Sequence, residues 1–184
     1  MVKVRIQKKP RLSQGDVLRD VEYIEYAIEK SGNIEISKIT FPLVLVLTQD
    51  CDLQQDDTFR SPEKLKSTQD KWLLSVLVAP LYNVEHLYTG DHLTELNMKM
   101  TTINRTATQG RNLVQNETLR YHYLDFPKEI PIPPSVIDFK HYFAVNVLYL
   151  KKLKRKNFVC QVSDSYREDI SQRFAAFLSR IGLP

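Results

Sequence analysis

Asp50-Cys51-Asp52 is the densest chemistry in the chain, a thiol set between two carboxylates. It directly follows the apolar run Phe41-Pro-Leu-Val-Leu-Val-Leu47. A cysteine attacks as its thiolate, which forms when a helix N-terminus, a histidine or a basic neighbour lowers the thiol pKa. The flanking aspartates push the other way, so Cys51 needs a base brought from elsewhere, and His86, His92 and His122 are available. If the chain is an enzyme, its residues are Asp50, Cys51, Asp52, His86 and His122, in a thiol hydrolase or a nuclease. The plainer reading makes Cys51 a small buried residue at a strand end, with Asp50 and Asp52 accepting from turn amides. A metal held by these residues and a histidine is set aside, since no CxxC, HExxH or closely paired histidines occur. No metal and no cofactor are expected.

A second candidate is cationic. Lys151, Lys152, Lys154, Arg155 and Lys156 lie between Tyr149 and Phe158. A basic hairpin tip flanked by aromatics suits phosphate contact and base stacking in RNA or DNA. The alternative is a solvated turn that keeps a sheet edge soluble. Arg105 to Arg111, continuing to Arg120-Tyr-His-Tyr123, offers another basic, aromatic stretch. The net charge of +4 permits an anionic partner without demanding one.

These groups need a scaffold, and the pattern is mainly β. Val17 to Ile28 reads as a long bulged strand, Ser31-Gly32-Asn33 as a turn, and Ile34 to Ile39 as the return strand. The Phe41–Leu53 stretch reads as a strand buried on both faces, with Pro42 at its beginning and the aspartates at its exit. Gln54 to Lys71 is polar and reads as a surface loop, and Trp72 to Pro80 as a second buried strand. The 84–118 excursion carries a helix over 84–100. Strands are expected at 119–124, 135–139, 141–150 and 158–162, with 151–156 as the turn between the last two. The C-terminal helix spans 165–182, with Ser165 and Glu168 as a capping box. Its apolar stripe is Tyr166, Ile170, Phe174, Phe177, Leu178 and Ile181, closed by Gly182 and Pro184.

At 184 residues this is one domain, 1–184, with a barrel core over about 15–162. No apolar run reaches the ~20 residues that span a bilayer. Two distant cysteines fit a reducing cytoplasm better than a disulfide framework.

Gly15-Asp-Val17, the Phe41–Asp50 stretch and Leu77-Val-Ala-Pro-Leu-Tyr-Asn83 occur in an order that resembles the PemK/MazF toxin endoribonucleases. The resemblance covers about residues 15–83 and implies an SH3-like small barrel, commonly a homodimer. The family's catalytic arginine falls at Phe41 and its catalytic Ser/Thr at Tyr82, and neither matches. Phe41 supplies neither the cation nor the proton shuttle that RNA cleavage uses. The reading is therefore an SH3-like, PemK/MazF-like barrel without that chemistry. It binds nucleic acid through the 151–156 turn, or serves as an assembly subunit of a toxin–antitoxin or phage-defence system. A protein partner would dock on the C-terminal helix. The rival is an enzyme with relocated residues.

Overall fold

The computed structural model describes residues 1–61 and 68–180. The chain builds an antiparallel sheet curled into a half-barrel, from β1 (Val4–Arg5), β2 (Asp16–Lys30), β3 (Asn33–Val46), β4 (Ser75–Asn83), β5 (Tyr121–Leu124), β6 (Ser135–Asp138), β7 (Phe143–Asn146) and β8 (Phe158–Val162). The strand order is β1-β8-β2-β3-β4-β6-β5, and β7 pairs with the first half of β4. Among the described residues five α-helices accompany it: α1 (Asp50–Phe59), α2 (Val84–Thr89), α3 (Thr108–Val114), α4 (Val147–Asn157) and α5 (Asp164–Ser179). No helix among the described residues is long and apolar enough to cross a membrane.

The β2–β3 hairpin closes through Ser31 and Gly32, both at positive φ (53° and 78°), the two-residue turn that matches strand twist. The register shifts between Ile24 and Tyr26, where the sequence predicts a bulge. The return strand and the buried strand are a single element, β3. Pro42 lies inside it and is tolerated there because β4 begins to pair only at Val44. The inner end of β3 is buried on both faces: Val44 and Val46 pack into one core, Leu45 and Leu47 into the other. β4 divides the same way, with Val76 and Val78 on one side and Ala79 and Leu81 on the other.

α5 covers one core through Ile170, Phe174 and Phe177, with Phe174 and Phe177 stacked near Phe139. The helix begins at Asp164 behind Ser163, so Ser165 sits inside the first turn and the expected Ser165–Glu168 cap is not what starts it. Leu178 is 49% exposed and leaves the stripe, while Ile181, Gly182 and Pro184 lie outside the described residues.

Three other expectations are corrected. The polar segment from Gln54 continues a helix to Phe59, because buried Leu53 and buried Asp56 anchor α1 to the sheet. The rest of that expected loop falls partly on 62–67, outside the described residues. The helix expected over 84–100 stops at Thr89, since Gly90 turns the chain at φ 79°. A Cβ at Gly90 would stand 2.4 Å from the Met100 carbonyl oxygen, so only glycine fits. The strand expected over 141–150 ends at Asn146, whose side chain accepts from the Leu148 and Tyr149 N–H groups and starts α4. The 151–156 run is therefore helix, not turn. Its cations lie toward the C-terminal end, where they complement the helix dipole.

Candidate functional site

Where β3, β4 and the excursion after α2 meet, the sheet opens into a cavity of about 310 Å³. Phe41, Leu43, Leu81, Leu93 and Leu96 give it apolar walls. A neighbouring hollow of about 280 Å³ shares Phe41, Tyr82, Leu93 and Leu96, and adds Tyr23, Lys140, His141 and Tyr142. Tyr82 comes from β4, Asp138 from the end of β6, and His141 from the 3-10 turn Phe139–His141 that follows. His92 is delivered by the Gly90 turn, held by Asp91 N–H donating to the His86 carbonyl and Met100 N–H donating to the Gly90 carbonyl.

The geometry is tight. The Tyr82 hydroxyl lies 3.2 Å from His141 Nδ1, and Asp138 Oδ2 lies 3.6 Å from the same nitrogen. Tyr82 meets the His92 ring edge-on at 4.9 Å between centroids. Asp138 is fully buried and gripped by Arg120, whose Nε stands 2.9 Å from Oδ1, while the Lys140 N–H donates to the same oxygen. One donor atom each from His92, Asp138 and His141 can be chosen so that all lie within 4.8 Å of one another. Both ring nitrogens of His92 are buried, and neither has a hydrogen-bond partner. The His86 carbonyl is close enough to favour a protonated His92 ring, yet without hydrogen-bond geometry.

Burial, followed by the nearby charge of His141, lowers the His92 pKa. Burial also lowers that of His141, partly offset by Asp138. Burial, seconded by the Asp138 charge, raises the Tyr82 phenol well above its ordinary value. The cluster thus presents two uncharged imidazoles and one protonated hydroxyl, able to accept a proton, donate one or ligate a metal.

The residues expected to act are scattered. Asp50, Cys51 and Asp52 form the first turn of α1. Asp50 accepts two hydrogen bonds from Arg11, at 3.0 and 2.7 Å, and one from Gln14 N–H. Burial raises its pKa, but Arg11, Arg167 and Gln14 outweigh that and hold it below the ordinary range. Cys51 is exposed, its sulfur 3.6 Å from Gln49 Oε1 and 3.7 Å from Asp52 Oδ1, in a shallow hollow lined by no histidine. His122 is buried on β5 beside Phe139, with Nε2 4.0 Å from Asp169, and burial drives its pKa down to about 3. His86 is exposed on α2 and lines the larger cavity. His92 and His141 gather around Tyr82, and no histidine lines the hollow at Cys51.

Among the cations, Lys154 is buried and donates to Asp16 and to the Arg11 carbonyl, both at 2.6 Å. Lys151 lies between Asp56 and Asp57, at 2.9 and 3.1 Å. Lys152, Arg155 and Lys156 are exposed.

The pair missed in the sequence is Asp138 and His141. A buried carboxylate three residues before a histidine is visible as Asp-Phe-Lys-His, but only folding brings His92 and Tyr82 to it. Phe41 and Tyr82 both line this cleft. No protein-family model and no curated protein matches the chain.

Proposed function

We propose that this cleft is the working site of an enzyme that cleaves single-stranded nucleic acid, with Tyr82, His92 and His141 as its reacting groups. The observation that carries the reading is the coincidence, in one place, of stacking surfaces with uncharged imidazoles. Tyr23, Phe41 and Tyr142 offer aromatic faces, Lys140 offers a phosphate contact, and His141 and Tyr82 stand beside them. Base stacking on aromatic side chains is tolerant of sequence, and a positioned imidazole contributes ~10²–10⁴-fold as general acid or base. This is the enzyme with relocated residues, acting away from Cys51. The exposed cations Lys152, Arg155 and Lys156 on α4 then add long-range attraction rather than specificity.

The test is incubation of the purified protein with labelled single-stranded RNA and duplex DNA at two salt concentrations, followed by gels for cleavage. The expected result is salt-sensitive binding and cleavage of the single strand, reduced at least about 100-fold in His141→Ala. Cleavage that survives His141→Ala and Tyr82→Phe overturns the site, and binding without cleavage overturns the enzyme and returns the chain to a binding module.

A role as an assembly subunit draws on a separate feature. The outer half of the β2–β3 hairpin projects with Ile24, Tyr26, Ile34 and Ile36 exposed, and exposed apolar surface of this kind marks contact with another protein. The stripe of α5 is spent in the core, apart from Leu178. A partner would meet the hairpin, and pull-down with Ile34→Lys and Ile36→Lys variants tests it.

A further inference from the structure

Two imidazoles beside a buried carboxylate are a ligand set as well as an acid–base set. Asp138 caps the short 3-10 turn that carries His141, and the Gly90 turn brings His92 to them from a distant segment. The two buried, partnerless nitrogens of His92 are the sharpest sign. Buried polar atoms usually have a hydrogen-bond partner, so ring nitrogens left without one in the chain point to a partner outside it. The other two residues are held in place. Arg120 and the Lys140 N–H fix Asp138, while the Tyr82 hydroxyl lies 3.2 Å from His141 Nδ1 and leaves Nε2 free to ligate.

We propose that His92, Asp138 and His141 bind one divalent transition metal ion. The proposal rests on the reading of the cleft as a hydrolytic site and recasts its chemistry: His92 and His141 become ligands instead of proton carriers, and the ion's task is to acidify and orient a water molecule. Two imidazoles with a single carboxylate favour zinc, cobalt or nickel over magnesium or calcium, which take oxygen ligands. Arg120 neutralises much of the Asp138 charge and strengthens that preference. Tetrahedral donors ~2.0–2.2 Å from zinc stand roughly 3.4 Å apart, so donors now within 4.8 Å close by about 1.4 Å at most.

The experiment is titration of the chelator-treated full-length protein with cobalt(II), followed by visible absorption, with zinc(II) calorimetry as the second measurement. The expected result is one saturable site per chain, with zinc displacing cobalt and magnesium failing to. His92→Ala and His141→Ala each weaken binding at least about tenfold, and His86→Ala leaves it unchanged. His92→Ala removes a ring without hydrogen bonds, so it folds and keeps the test decisive even if His141→Ala does not. Absence of a saturable signal, or binding that survives His92→Ala, overturns the proposal. The optical signal needs no substrate, which separates it from the cleavage reading. Cobalt binding without any nuclease activity upholds the metal site and overturns the nuclease. Cleavage that persists in chelator, in a protein that takes up no cobalt, does the reverse.

Discussion

Two polar clusters, one at α1 and α4 and one in the cleft, differ in how their polar groups are met. Beneath α1 and α4, Lys154 reaches Asp16 and the Arg11 carbonyl, Arg11 grips Asp50, and Asp56 takes Arg60, Lys151 and the Leu73 N–H. In the cleft, Asp138 is fully engaged, but His92 has no partner at either nitrogen. Paired charge is what a structural network needs, because a buried charge is tolerated only when paired. Unsatisfied geometry at a cavity wall is what a ligand needs. The residues that look most reactive in the sequence belong to the first cluster, and the candidate site belongs to the second.

The largest effect should come from breaking one half of the buried pair. Burial raises the Asp16 pKa and lowers that of Lys154, each pulled back by the other, so neither charge is tolerated alone. Lys154→Met or Asp16→Leu should each cost about 3–5 kcal/mol in urea denaturation, while the double replacement recovers most of it. A single-variant loss below about 1 kcal/mol would break the contrast between the clusters.

Next in size is the acid response of His122. Its pKa is about 3 in the fold against 6.5 in an unfolded chain. Above 6.5 the ring is neutral in both states; between 6.5 and about 3 only the unfolded chain takes the proton, so stability falls as pH falls through that window. The slope from this one group approaches roughly 1.4 kcal/mol per pH unit. His122→Leu should flatten the acid limb measured from pH 6.5 downward, and an unchanged slope would place the acid sensitivity elsewhere.

His92→Leu is the direct counterpart of the Lys154 variant. Removing a buried imidazole that makes no hydrogen bond should change the metal-free protein's stability by under about 1 kcal/mol, with stabilisation the favoured sign. A loss above about 2 kcal/mol by chemical denaturation would mean that the ring is structural after all. Smallest of all should be Lys152→Gln, Arg155→Gln and Lys156→Gln, within about 0.5 kcal/mol each. Their combination should reduce the salt dependence of nucleic-acid binding without touching cleavage at low salt.

The sequence by itself determined the local architecture. Alternation of β-branched and aromatic residues specifies β2 and β3, Ser31-Gly32 specifies their turn, and the spacing of Ile170, Phe174 and Phe177 specifies the inner face of α5. Where alternation ran through Asn146, the apolar pattern overreached. A single asparagine side chain that bonds the next backbone amides was enough to turn strand into helix there. Burial and pairing were decided only by tertiary structure. Nothing local marks Lys154 as the one buried cation of a basic run, because its partner Asp16 is 138 residues away. The same holds for the site, since β4, the Gly90 turn and the end of β6 bring Tyr82, His92, Asp138 and His141 together across long loops. Side-chain chemistry is legible in sequence; proximity between distant segments is set by sheet pairing, and sheet pairing moved the reactive groups from Cys51 to the cleft.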